Sequence, residues 1–400
     1  MRFPPRTRTP AAPAPAPALE RTQGRDRLRE VDVLRGFALL GILMVNALLM
    51  AGPHVGAAGS RADDVAGWLV TALVSAKFYL LFSFLFGYSF TLQRASAERA
   101  GAAFAPRHLR RLICLFLLGL VHGVLLFSGD VLMIYAVLSL PLFACRDLAP
   151  RTAVRAALWL VAGTAACLLA WGLITLAYAA PVHPQEVTAA VEDMVAARRG
   201  DPGEVVGDNV RRLGDALGWN IVYAADMLAA FLVGLAAGRS GLLADPGRHR
   251  ARLVPVIVRC LPLGLAGSVF MAICRNGPLD PRWYYVGSAA GVLTAPALTA
   301  AYVCGLLLLL PTRPGRLIGD ALAPAGRLAL TNYLTQSLVM ALFLTGYGAA
   351  WYGRFGTVVV LGGCLVLYAA QLAFSRWLTR RFRYGPAEWV LRAATLGRRP

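Results

Sequence analysis

Charge is scarce in this chain. Of 400 residues only 15% are charged, 58% are hydrophobic, and the mean hydropathy is +0.58. A soluble domain carries about 25% charged residues, so a soluble globular fold is excluded. Lysine is nearly missing: Lys77 is the only one, and every other side chain among the 40 basic residues is arginine, against 21 acidic. A formal charge of +19 in a soluble protein would point to nucleic acid. Here the arginines sit in short loops between apolar runs, where they set membrane orientation, so no nucleic-acid partner is expected. There is no C-x-x-C spacing and no Gly-rich phosphate loop. The seven cysteines, an odd number within or beside apolar runs, read as small buried hydrophobes rather than a disulfide or metal framework. No metal and no required cofactor follow from the residues.

What is present is a series of apolar runs of spanning length, near residues 32–51, 65–92, 112–128, 130–145, 153–180, 216–238, 253–274, 283–310, 319–345 and 355–377. A bilayer-spanning helix needs about 20 such residues. The expected fold class is therefore all-α, a polytopic integral membrane protein with about ten transmembrane helices and a lipid bilayer as its first partner. Residues 1–30, rich in Arg, Pro and Ala, read as an extended cytoplasmic tail. An N-terminal membrane domain is expected over 31–180, an external loop over 181–215, a C-terminal membrane domain over 216–390 and a basic tail over 391–400. Within the external loop the stretch from Glu186 to Arg199 reads as helix, ended by Gly200-Asp201-Pro202-Gly203. The first apolar run lacks a small-residue cleavage site and reads as a retained helix. Basic and non-basic loops alternate, which places both termini on the cytoplasmic side of a bacterial inner membrane. Oligomeric state is not readable.

Charged and amide side chains inside spans are costly and serve as functional leads. Asp32 and Arg35 are spaced to pair. Arg35 and Asn46, and Arg111 and His122, are each eleven residues apart, so each pair shares a helix face about 16 Å long. Lys77 falls in mid-span. His122 lies a few residues before the Gly129-Asp130 turn, and a neutral His near a carboxylate is a common general base. Asp226 and Arg259 are candidates for pairing across helices. Arg327, Thr331, Asn332, Thr335 and Gln336 make one apolar segment unusually polar. Arg35, Asn46, Lys77, His122, Asp130, Arg327 and Asn332 are expected to converge on one cavity. His54, His108, His183 and His249 read as solvated. A structural reading stands beside each lead: snorkelling for Arg35, an ion pair for Lys77, interhelical hydrogen bonds for the Thr and Asn residues.

Five stretches in order carry a resemblance: Asp32-Val-Leu-Arg-Gly-Phe-Ala-Leu-Leu-Gly-Ile-Leu-Met-Val-Asn46; Lys77-Phe with Leu81-Phe-Ser-Phe-Leu-Phe-Gly87; Gly119-Leu-Val-His-Gly123 with Gly129-Asp-Val-Leu to Tyr135; Gly326-Arg-Leu-Ala-Leu-Thr-Asn-Tyr-Leu334; and Tyr384-Gly-Pro-Ala-Glu-Trp389. With them the chain resembles the YeiB-like bacterial membrane proteins, whose C-terminal half is domain of unknown function 418. That family in turn resembles the transmembrane acyltransferases, a group including acyltransferase family 3 and the heparan glucosaminide acetyltransferases. In acyltransferase family 3 an Arg is followed eleven residues later by a His; here that register ends in Asn46, as in the glucosaminide acetyltransferases, where a separate His acts.

The resemblance implies acyl transfer from a cytoplasmic acyl-CoA, as co-substrate, to an alcohol or amine acceptor at the outer face. Arg35, Arg111 and Arg327 would meet donor phosphates. His122 would take the acceptor proton with Asp130 orienting it, and Asn46 or Lys77 would stabilise the oxyanion. Asp32, Asn332 and Tyr135 are expected on the cavity wall. The alternatives are a transporter or exporter using the same buried groups as substrate or proton site, and an accessory membrane protein without turnover.

Overall fold

The structure, a computed structural model, describes residues 18–54, 60–180, 184–243 and 246–399. Among the described residues there are fourteen α-helices, two short 3₁₀ turns and no strand. Eight stretches are long and apolar enough to cross a bilayer: Arg29–Ala51, Arg61–Arg99, Phe104–Leu125, Pro150–Tyr178, Val222–Ser240, Leu253–Asn276, Pro281–Leu309 and Thr357–Arg381. The chain is an all-α polytopic membrane protein. Two of the ten expected spans are shorter helices, α5 (Leu132–Ala144, 13 residues) and α12 (Ala329–Leu344, 16 residues). At about 1.5 Å per residue each helix is shorter than a ~30 Å hydrocarbon core and carries the chain across it only with its flanking residues; Gly346 and Gly353, after α12, donate to Arg198 O at 2.9 Å and Ala51 O at 2.7 Å, which puts all of these at one end of the bundle.

The first helix, α1, is described over Ala18–Ala51, so the part of the expected extended tail from Ala18 to Glu30 is helical and continuous with the first span. Residues 1–17 and His183 lie outside the described residues, as do the side chains of Glu186 and His249. The expected second span is two helices, α2 (Arg61–Leu73) and α3 (Lys77–Arg99), broken where Ala76 takes φ 71°. Backbone groups freed inside a membrane must find partners, and here they do. The Lys77 ammonium donates to the Thr71 carbonyl at 3.3 Å, Tyr302 OH to Leu73 O at 3.0 Å, and Thr299 Oγ1 to Lys77 O at 3.1 Å.

Next come α4 (Phe104–Leu125), α5, α6 (Pro150–Tyr178) and α7 (Pro184–Arg199). The expected loop over 181–215 is thus largely helical. Asp201 starts α8 (Pro202–Ser240) with a capping box closed by Glu204, and α8 runs unbroken into the membrane. Arg198, buried at the end of α7, is held by Asp208 at 2.7 Å and Asn209 at 2.8 Å. Burial lowers its affinity for its proton and the Asp208 carboxylate opposes that. The remaining helices are α9 (Pro246–Asn276), α10 (Tyr284–Leu309), α11 (Arg313–Arg327), α12, α13 (Thr357–Arg381) and α14 (Pro386–Leu396).

Packing interleaves the two ends of the chain. α1 lies along α11, α12 and α13, and α8 lies along α3 and α6. A Cβ on Gly326 would collide with the Asp32 carbonyl oxygen, so only glycine lets the end of α11 lie this close to the middle of α1. Away from these seams α6, α9 and α13 turn apolar side chains outward, Trp159, Trp171, Val258 and Val366 among them. These are lipid-facing surfaces.

Candidate functional site

A cavity of about 510 Å³ opens between α1, α3, α4, α5, the end of α11, α12 and α14. Six arginines line it, Arg35, Arg107, Arg111, Arg327, Arg383 and Arg392, against two carboxylates, Asp32 and Glu388. Deeper wall comes from Leu39, Ile42, Phe82, Phe86, Leu115 and Tyr135. The cavity therefore pairs an excess of fixed positive charge with an apolar and aromatic throat. Asp32 does not cancel this: its Oδ1 accepts from Arg35 at 2.9 Å while the other Arg35 nitrogen donates to Ser89 at 2.5 Å. Arg111 stands over the Phe86 ring at 6.0 Å, and its Nε is buried without a partner.

The second carboxylate has a structural task. α11 stops at Arg327 and α12 starts at Ala329, which leaves the first N–H groups of α12 without partners. Glu388, reaching over from α14, supplies them. Its Oε1 accepts from the backbone of Leu330 at 2.8 Å and Thr331 at 3.0 Å, and its Oε2 accepts from the Thr331 hydroxyl at 2.5 Å. The cap orients the first turn of α12, which carries Tyr333.

Tyr333 lines the cavity and donates to Asp130 Oδ1 at 3.3 Å. Asp130, just before α5, also accepts from His122 Nδ1 at 2.8 Å and from the Met133 backbone N–H at 2.9 Å. His122 and Asp130 are 2% and 1% exposed, so their bond is shielded from water. With Asp130 ionised and the imidazole neutral, the ring proton lies on Nδ1 and the lone pair on Nε2. That Nε2 is buried and unpartnered. The His122 ring lies 5.0 Å from the Tyr333 ring. A base oriented by a carboxylate and left free at its other nitrogen can accept a proton from a hydroxyl or amine.

The sequence-predicted residues thus separate. Arg35, Arg111, Arg327, Asp32 and Tyr135 line the cavity, and His122 and Asp130 form the pair reached through Tyr333. Lys77 does not join them; its ammonium is used at the α2–α3 break. Asn332 does not line the cavity either. Its Nδ2 donates to Ala325 O and Ser375 Oγ, both at 3.0 Å, tying α12 to α11 and α13. Asn46 is half-buried on α1, on neither the cavity wall nor the His122–Asp130 pair. Asp226 bonds Tyr79 rather than Arg259, which is exposed on α9. His108, expected to be solvated, is 4% exposed and stacked on Phe104 and Phe143, because α4 begins at Phe104 and turns that face inward. Tyr333 and Glu388 were not singled out by sequence. Tyr333 stands beside the conspicuous Asn332, and Glu388 is the one acidic residue after position 376.

Residues 237–398 match the family described as "Protein of unknown function (DUF418)". That region includes Arg327, Tyr333 and Glu388, whereas His122 and Asp130 precede it. Over nearly the whole chain there are similar proteins in bacteria. "Uncharacterized protein YxaH" of Bacillus subtilis is 28% identical over 94% of this chain and 96% of its own length. "Uncharacterized protein YeiB" of Escherichia coli is 28% identical over 92% and 95%, and "Uncharacterized 39.9 kDa protein in amylase 3'region" of Bacillus acidopullulyticus is 28% identical over 94% and 95%. The apolar helices make the chain a multi-pass membrane protein; its residues 237–398 resemble the DUF418 family, and over nearly its whole length it is similar to YxaH and YeiB.

Proposed function

We propose that this protein transfers an acyl group from an acyl-CoA, bound in the arginine-lined cavity, to an alcohol or amine acceptor that reaches His122 from the opposite side of the membrane. The observation that carries the reading is the join between two unlike parts. A cavity fit for a polyanion with an apolar arm shares Tyr333 with a buried His122–Asp130 pair whose Nε2 is free. Arg111 and His122 lie on one helix, eleven residues or about 16 Å apart, so one extended molecule can place phosphates at one end and a thioester at the other. Guanidinium groups suit phosphates because they bind two oxygens at once.

In this reaction the acceptor oxygen or nitrogen attacks the thioester carbonyl carbon while His122 Nε2 takes its proton. Asp130 holds the imidazole and offsets the charge formed on it. The tetrahedral intermediate collapses as the C–S bond breaks, and the departing thiolate takes the proton back from His122. The balance of arginines supports a cavity mouth and both termini on the cytoplasmic side of a bacterial inner membrane. Reporter fusions after Pro400 should read cytoplasmic and fusions beside Glu192 external.

The test is acyl transfer by proteoliposomes given radiolabelled acetyl-CoA and a bacterial membrane extract as acceptor source. Label should appear in acceptor with wild type and not with His122→Ala. Movement of a solute across the vesicles with no acylated product, and equal labelling by the two proteins, are the outcomes that overturn the reading; the first favours a transporter.

A further inference from the structure

One buried polar group has no part in that chemistry. Asp226 lies on α8 within the stretch Val222–Ser240 and is 0% exposed. Its Oδ2 is 2.6 Å from the Tyr79 hydroxyl, and its Oδ1 is buried with no partner at all. Among the described residues no cation pairs with it. The helices packed against α8 present little else: α3 offers Tyr79, while Lys77 at its start is engaged by Thr71. α5 has no charged residue, and α6 has only Arg151 and Arg155 in its first turns. α4 has basic residues in its first turns and His122, which Asp130 holds; at α7, Arg198 is bound to Asp208. On α8 itself Tyr223 is the nearest titratable neighbour, with Tyr284 and Arg275 beyond it.

Asp130 shows the contrast. It accepts from an imidazole, a backbone N–H and a phenol, as a buried anion requires. Asp226 has one donor. An isolated carboxylate without counter-ion or hydrogen bonds takes up a proton in preference to staying charged in a dry site. We propose that Asp226 is a proton-binding site, separate from the His122–Asp130 pair, in which the side chain rests as a carboxylic acid hydrogen-bonded to Tyr79. With the proton on Oδ2, the unpartnered Oδ1 is a carbonyl oxygen, the least costly group to leave bare. The site also adjoins the cavity: Tyr135, part of its wall, donates to the main-chain oxygen of Tyr79 at 3.2 Å. A molecule that shifts Tyr135 on entering the cavity therefore disturbs the residue that holds the proton, which links proton uptake or release to occupancy.

Infrared difference spectroscopy of the purified full chain in lipid reads this directly and needs no substrate. At neutral pH the wild type minus Asp226→Asn spectrum should show the carbonyl stretch of a protonated carboxylic acid, moved down in D₂O. Wild type minus Asp130→Asn should show carboxylate stretches only. If Asp226→Asn does not fold, Tyr79→Phe should keep the band and move it to higher frequency, because the acid loses its hydrogen-bond partner. The proposal is overturned by a wild type minus Asp226→Asn spectrum with carboxylate stretches alone, or by a band that Tyr79→Phe leaves in place.

Discussion

The break between α2 and α3 and the break between α11 and α12 pose the same problem and are answered from different places. At the first, Lys77, Tyr302 and Thr299 close the ends within the packed bundle. At the second, Asn332 takes one side, and a carboxylate from the far end of the chain, Glu388, takes the other. Glu388 is itself part of the cavity wall. The first break is sealed, whereas the second borders a void. A polar residue in a membrane helix thus marks a site only when it keeps bonding capacity that its own backbone does not consume. Lys77 is bound at the Thr71 carbonyl, off the cavity wall, while His122 retains Nε2.

His122→Ala and Lys77→Met press hardest on this contrast. Loss of a positioned base should cost about 10² to 10⁴ in acyl-transfer rate per folded molecule, beside the stability lost when buried Asp130 gives up a donor. Lys77→Met should cost stability alone, leaving the Thr71 carbonyl unpaired for about 1–3 kcal/mol with turnover per folded molecule preserved. Parallel melting curves and initial rates for the two variants check it; a Lys77→Met protein that folds well and is inactive breaks the contrast.

Glu388→Ala should fall between them. It strips the N–H groups of Leu330 and Thr331 of their acceptor, for about 1–3 kcal/mol, and by loosening the turn that carries Tyr333 it should also weaken donor binding. A melting curve and an acyl-CoA titration of one preparation show whether both move together. The smallest effect is expected from Arg35→Ala. Because Arg35 is one of six arginines on the wall and partly committed to Asp32, roughly tenfold weaker donor binding is expected, about 1.4 kcal/mol. The deficit should shrink as added salt screens the remaining charges.

Much of the architecture was legible from hydropathy alone, since each membrane-crossing helix coincides with an apolar run. The breaks were not. Nothing about Ala76 or Leu328 is unusual as a residue type, and the Lys77 and Arg327 beside them read as polar leads within a span rather than as breaks; the interruption is visible only in the groups that mend it. The mouth of the site was legible because arginines eleven residues from a second polar group fall on one face. The pairing of His122 with Asp130 was anticipated from sequence proximity and the tight turn. Tyr333 and Glu388 escaped because they meet the site through partners more than fifty residues away, Asp130 for one and Thr331 for the other.

Equilibrium binding of acetyl-CoA to the detergent-solubilised full chain tests the central claim most directly. Wild type and His122→Ala should bind with equal affinity, since His122 touches the reacting centre and not the phosphates, whereas the Arg111→Ala, Arg327→Ala double variant should bind much more weakly. Failure of the folded wild type to bind acetyl-CoA would contradict the account, as would binding that is indifferent to removal of both arginines.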